Sequence, residues 1–244
     1  REGPLDYLAL DYLAEVTMSI MQKLKSRDPS AGYATDFITM LDRILPDVAE
    51  KGIKVIANAG GVNPIGCMEA TVALARKKGL TGLKVGVILG DDILEELPDL
   101  IAGGENFANM DTGEELAPLL SKVGSANVYI GAGTVAECLA QGADIVIGGR
   151  ITDPALVAGP LMYEFGWSPS DYDKLAAATV AGHITECGAQ CTGGNFAAWR
   201  DVDDYVKIGY PVIEAQADGT FFVTKHEGTG GLVDRRTVIS QLLY

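Results

Sequence analysis

Short apolar runs alternate with longer amphipathic stretches through the first 150 residues. Pro4–Leu10 reads as a strand and Ala14–Lys25 as a helix. Asp36–Lys51 carries apolar positions at helical spacing and leads into Ile53–Ala57, a β-rich run. Pro64–Lys78 is helical, with proline in the first turn, where its missing N–H costs nothing. Leu83–Leu89 is the clearest buried strand, and Asn127–Ile130 and Asp144–Ile147 read as two more, separated by a helix at Thr134–Gln141. Strands alternating with helices predict an α/β fold: a mostly parallel sheet with helices on both faces, in Rossmann-like layers. A closed β/α barrel is the alternative.

Beyond residue 150 the pattern changes. Helices at Pro154–Phe165 and Tyr172–Gly182 precede two β-rich runs, Pro211–Glu214 and Thr220–Thr224, which flank an Asp218-Gly219 hairpin turn. The expected division is an α/β core over 1–200 and a C-terminal hairpin-and-helix extension over 201–244. The opening Arg1 and the apolar ending Leu242-Leu243-Tyr244 suggest a piece of a longer chain.

The loops after the strands are more informative than the strands themselves. Strand one runs into Asp11 and Glu15, and the next into Asn58-Ala-Gly-Gly-Val-Asn63. The others run into Gly90-Asp91-Asp92, Gly131-Ala-Gly133 and Gly148-Gly-Arg150-Ile-Thr-Asp153. In a parallel sheet these loops share one edge, where ligands of such folds bind. Gly60 and Gly61 would let a ligand approach the backbone, with Asn58 and Asn63 beside it. Arg150 could clamp a carboxylate in two-point fashion, or pair with Asp153 to close its own loop. Asp91 and Asp92 could bind a divalent metal or simply cap a helix. Neither a GxGxxG fingerprint nor a Gly-Lys-Ser/Thr occurs, so a standard dinucleotide site is not expected.

The run His183-Ile-Thr-Glu-Cys-Gly-Ala-Gln-Cys-Thr-Gly-Gly-Asn195 concentrates the chemistry. His183 and Glu186 suit proton transfer next to a carbonyl. Cys187 or Cys191 could act as a thiolate, with the Gly193 and Gly194 amides holding an oxyanion. Packing is the plain alternative for both cysteines. Structural zinc is not expected, because there is no CxxC and no second histidine nearby. Lys225-His-Glu-Gly-Thr-Gly-Gly231 is a second glycine-rich loop, a candidate lid or an exposed hairpin end.

Composition narrows the partners. A net charge of −14 argues against nucleic acid or anionic lipid. No apolar stretch approaches membrane-spanning length. Four cysteines do not form a disulfide framework in a chain this size, and a reducing cytoplasm is expected.

Several of these segments together resemble the acyclic terpene utilization family (AtuA-like). They are Asp11–Thr17, Asn58–Pro64, Gly90–Asp92, Gly142–Arg150, Glu164–Trp167, Gly182–Gly194 and Gly228–Gly231, in order along nearly the whole chain. The resemblance implies work alongside acyl-CoA carboxylases, dehydrogenases and enoyl-CoA hydratases in breakdown of branched or terpenoid acids. Arg150 and Asp153 match its frequent Gly-Arg-x-x-Asp, whereas Cys191 stands where many members carry a hydrophobic residue, which leaves Cys187 the better thiol candidate.

The expectation is therefore a lyase or hydro-lyase on a hydroxylated or unsaturated acid, free or as its acyl-CoA. His183 and Glu186 would move protons, Arg150 would hold a carboxylate, and the glycine amides would steady an enolate. A hydrolase using Cys187 is one rival reading, and a non-catalytic subunit binding acyl-CoA or a carboxylase partner is another. No cofactor is expected beyond the optional divalent metal, and a homodimer is the default assembly.

Overall fold

The computed structural model describes residues 3–244. Among them, β1 (Tyr7–Leu10), β2 (Lys54–Ala57), β3 (Val85–Ile88) and β4 (Ile145–Gly148) form one parallel sheet in the order β1-β2-β4-β3. The sheet is open, with β1 and β3 as its edges. The layered fold is thus the one the chain adopts, and the barrel alternative is set aside.

Alternate strand residues feed two separate cores. Val55, Ala57, Ile145 and Ile147 pack with α1 (Glu15–Lys25), α2 (Thr35–Lys51) and α3 (Pro64–Lys77). Their neighbours Ile56 and Val146 point the other way, toward α5 (Ala132–Ala140) and α6 (Ala155–Phe165). Helix α2 earns its place through Phe37, Leu41, Leu45 and Val48, a single apolar stripe that is wholly buried. It stops at Gly52, whose φ of 68° is the left-handed cap that glycine tolerates best. Every residue of β4 is buried, as expected for a central strand covered on both faces.

The two central strands send their chains to opposite faces. β2 exits toward α3, whereas the adjacent β4 exits toward α6. The crossovers from β2 to β3 and from β3 to β4 step in opposite directions along the sheet, and right-handed crossovers of that kind put α3 and α5 on opposite faces. Where the two exits diverge, folds of this kind place their ligand crevice at the carboxyl ends. Backbones meet across its floor: the Gly60 amide donates to the Gly148 carbonyl at 2.9 Å.

Three elements depart from expectation. Asn127–Ile130 is not a strand of the sheet. It makes only isolated bridges, to Asp92 and Ile151, because the Val128 and Ile130 amides donate to the Asp91 and Arg150 carbonyls. It therefore lies across the ends of β3 and β4 rather than alongside them. The stretch 89–131 also holds α4 (Leu97–Ala102) and a 3-10 turn at Ala117–Lys122, both too short to leave a period. Finally, α7 (Tyr172–Thr185) runs one turn further than its apolar pattern, so His183 sits on a helix rather than in a glycine-rich turn.

The C-terminal hairpin, β5 (Pro211–Ala215) and β6 (Phe221–Lys225), turns at Asp218-Gly219 as expected. It is tied back to the helices, with Trp167 Nε1 donating to the Ala217 carbonyl at 3.0 Å. Helix α8 (Arg235–Leu242) carries a capping box at Asp234 and Thr237, and its Gln241 donates to the His183 carbonyl at 2.8 Å.

The floor of the crevice sets a stability prediction. A Cβ on Gly60 would lie 2.6 Å from the Gly148 carbonyl oxygen and 2.8 Å from Pro64 Cα, both backbone atoms that cannot move aside cheaply. Gly60→Ala is expected to lower unfolding free energy by about 1–3 kcal/mol. Urea titration of both proteins checks it, and coincident curves would mean that the strand exits have slack.

Candidate functional site

The sheet register brings the site together. Leu10 pairs with Ala57 and Ala57 with Ile147, so the next residues of each chain segment emerge side by side at the carboxyl edge. Asn58 is completely buried there. Its Oδ1 accepts from the Tyr12 amide at 2.7 Å, which fixes the side-chain orientation and turns Nδ2 onto Asp11 Oδ1 at 2.6 Å. The Leu13 amide donates to the same Asp11 oxygen at 3.1 Å. One Asp11 oxygen thus has two donors, while the other stands outside these bonds. Burial raises the Asp11 carboxyl above the usual range against these two hydrogen bonds, and Asp153 adds to the rise while Arg150 opposes it.

Arg150 leaves β4 with only 5% of its surface exposed. Its NH1 donates to Asp153 Oδ1 at 2.7 Å, its NH2 lies 3.7 Å from Glu15 Oε1, and its guanidinium centre sits 4.4 Å from the Tyr129 ring centroid. The loop is braced from below by Asp91, whose Oδ2 accepts from the Arg150 amide at 2.8 Å and from Asn127 Nδ2 at 3.0 Å. Gly149 is needed there, since a Cβ would fall 2.5 Å from that oxygen.

Helix α7 delivers the imidazole. Gly182 packs so closely on α6 that a Cβ would lie 2.5 Å from Pro154 Cα, which sets the neighbouring His183 beside the Asp153 loop. His183 Nδ1 and Glu186 Oε1 are 2.8 Å apart, with side chains 31% and 12% exposed. Burial pushes the Glu186 carboxyl up; His183 opposes the rise, while Asp153 and Asp11 reinforce it. Those mutual influences join residues 11, 150, 153, 183 and 186 into one electrostatic cluster.

The remaining sequence candidates fall elsewhere or are already engaged. The Gly60, Gly61 and Asn63 amides donate to the carbonyls of Gly148, Asn58 and Gly60, and Asn63 caps α3 through the Gly66 amide. The Gly193 and Gly194 amides donate to the Gln190 and Ala189 carbonyls. These glycines shape the backbone and leave no such amide free for an oxyanion. Asp92 accepts from the Leu94 amide in a local turn. Among the described residues, no group of three or more His, Cys, Asp or Glu is placed to hold a metal ion. In the second glycine-rich loop, the Gly230 and Gly231 amides donate to the Lys207 and Ile208 carbonyls, so these amides too are taken by backbone.

Burial acts on the Cys187, Cys191 and Cys67 thiols in the same upward direction. Burial first, then Glu186, pushes the half-buried Cys187 thiol upward, with Asp11 and Asp153 adding and Gln241 opposing. Cys191 is buried and pushed up to about 11, and Cys67 to about 12. An open groove of about 420 Å³ runs along the outer edge of β3 beside α5, from Lys84 to Leu89. It gathers no comparable set of titratable groups.

The site contains three residues that the sequence did not single out for it: Asp11, Glu15 and Tyr129. Asp11 comes directly after β1 and Glu15 opens the helix that follows it, so both were within reach of the edge rule. Tyr129 gave no signal, since a strand reading hides a side chain that lies across loop ends.

Two measurements bear on these assignments. Asp91→Ala removes an acceptor shared by a buried amide and Asn127, so unfolding free energy is expected to fall by about 1–3 kcal/mol. A structural brace gives the same loss with and without EDTA; a chelator-dependent loss would return Asp91 to metal binding. Iodoacetamide labelling of Cys187, followed by mass spectrometry, is expected to show a pH midpoint above the ordinary thiol value, because the reactive thiolate reaches half its population only at the raised value. A labelling midpoint at or below the ordinary thiol value would restore the cysteine nucleophile.

A family model described as acyclic terpene utilisation family protein AtuA matches residues 1–244. No curated protein and no solved structure gives a match. With the match spanning the whole chain, the protein belongs to the acyclic terpene utilisation family.

Proposed function

We propose that the carboxyl-edge cluster performs acid–base chemistry, eliminating or adding water on a hydroxylated or unsaturated acid, free or as its acyl-CoA. The observation that carries the reading is the His183–Glu186 pair at 2.8 Å, half-buried and electrostatically joined to Asp11 and Asp153. Glu186 engages Nδ1 and orients the ring, leaving Nε2 to face substrate. In the elimination direction Nε2 takes the proton next to the carbonyl, the C–H electrons form the new double bond, and the C–O bond breaks. Asp11, whose carboxyl is pushed above the usual carboxylate range by burial, supplies the proton that lets the hydroxyl depart as water.

Arg150 is the remaining requirement: a cation to hold the substrate's carboxylate or developing enolate. It fills the role first expected of the glycine amides, which the backbone has claimed. The −14 net charge and the absence, among the described residues, of a helix long and apolar enough to cross a membrane are consistent with a small-molecule substrate. Family membership supports a setting in terpenoid acid breakdown.

Turnover of a panel of 3-hydroxy acids and their CoA esters tests the reading. His183→Ala is expected to lose roughly 10²–10⁴-fold in rate. Full activity in that variant on a substrate the parent consumes would end the proposal.

Asp11→Asn separates activity from stability. A carboxyl whose folded pKa is raised keeps its proton in the folded chain after the unfolded chain has released it. Stability therefore falls as pH climbs from the ordinary carboxylate value through the raised one, and stays lower above it. The amide still accepts from Asn58 but cannot ionise. Asp11→Asn is expected to be more stable than the parent at pH 8, less so at pH 4, and nearly inactive at both. Equal urea midpoints at the two pH values would show that Asp11 carries no such burden.

A further inference from the structure

Two carboxylates meet the Arg150 guanidinium, and they are not equivalent. Asp153 holds NH1 at 2.7 Å with 27% of its side chain exposed, three residues along the same loop. Glu15 stands 3.7 Å from NH2 and is 77% exposed, at the first position of α1. It is held by a second donor, the Tyr129 hydroxyl, at 2.7 Å on the same Oε1 oxygen. The Tyr129 ring lies over the guanidinium whose edge Glu15 approaches. Guanidinium NH2 and phenol O–H thus converge on one oxygen position, in front of a side chain that is almost fully buried.

We propose that Arg150 NH2 and Tyr129 OH form a carboxylate-binding slot, that Glu15 fills it in the free protein, and that the ligand's own carboxylate displaces Glu15 on binding. The inference rests on the proposed role of Arg150 as the anion anchor and adds to it a ligand class, a second donor and a gate. Charge supplies the argument for displacement. Arg150 already faces two carboxylates, Asp153 and Glu15, within 4 Å. An added anion would meet repulsion from each. Exchange leaves the local charge unchanged: one carboxylate enters as another swings into water, where its exposure lets it be solvated.

The same reasoning selects the ligand. A neutral amide or the thioester carbonyl of an acyl-CoA cannot replace the charge that Glu15 takes away. The slot therefore favours an acid with a free carboxylate, including an acyl-CoA only if its acyl chain carries one. Tyr129 enters as a binding residue, held by its loop across the ends of β3 and β4.

The test compares the full chain with Glu15→Ala, titrated by calorimetry with 3-hydroxy-3-methylbutyrate and with the corresponding neutral amide. Glu15 is exposed, so the variant is expected to fold, and matching melting curves check that. The expected result is at least fivefold tighter binding of the acid by Glu15→Ala, with no gain for the amide. Adding Tyr129→Phe to that variant is expected to reverse most of the gain. Unchanged, weaker or undetectable acid binding by Glu15→Ala, or an equal gain for the amide, overturns the slot. His183→Ala separates the two proposals. If it loses turnover while Glu15→Ala shows no tightening, only the slot fails. If it keeps turnover while Glu15→Ala tightens, only the acid–base reading fails.

Discussion

At the mouth of the central strand lies a guanidinium that water scarcely reaches, and the surrounding elements are arranged around its charge. Arg150 is carried by β4, its amide is held by Asp91, its NH1 by Asp153 and its face by Tyr129. These partners come from three separate stretches of chain, so holding this one residue, by its amide as well as by its charge, ties together the β3 exit, the β4 exit and the loop crossing between them. An ion pair at such depth contributes little net stability, yet removing one partner typically costs about 3–5 kcal/mol. The arrangement is better understood as a constraint on geometry than as a source of stability.

That constraint explains why the glycines matter in a way different from the one their clustering suggests. Gly60 and Gly149 are sites where backbone or carboxylate comes too near for a side chain, and Gly182 is where two helices touch. Each lets a neighbouring residue reach the cluster: Asn58 from β2, Arg150 from β4, His183 from α7. The chemistry-bearing side chains owe their convergence to close packing at positions that carry no chemistry.

The layered fold was legible because its signals are local and periodic. The α2 stripe of Phe37, Leu41, Leu45 and Val48 and the all-apolar β4 leave little choice of element. The shared strand edge was legible too, since parallel strands put all their exits on one side, and it brought Arg150 and Asp153 forward with the right pairing. What the sequence concealed was partnership. Whether a glycine amide faces a ligand or its own backbone depends on hydrogen bonds that no spacing encodes, as at Gly193 and Gly194. Tyr129 was hidden because four apolar-rich residues read alike whether they pair in a sheet or lie over its end. Asp11 was visible as a residue after a strand, but its raised carboxyl depends on burial and on Asp153, far away in sequence.

The same cluster sets stability against chemistry. Asp11, Asp153, Glu186 and Glu15 gather around one arginine and one histidine, more acid than the cations nearby can neutralise. A protein selected only for stability would thin them out, since buried like charges raise one another's pKa values at the expense of folding. Retaining them yields carboxyls of different character within a few residues of each other. Glu15, exposed and hydrogen-bonded by Tyr129, is held below the ordinary range and stays ionised. Asp11 and Glu186, desolvated and crowded, are pushed above it. Carboxyl groups whose environments drive their pKa values apart are suited to different roles, one as acid and one as anion. Here the division tracks depth, with the raised carboxyls on the buried side and the lowered one at the exposed rim.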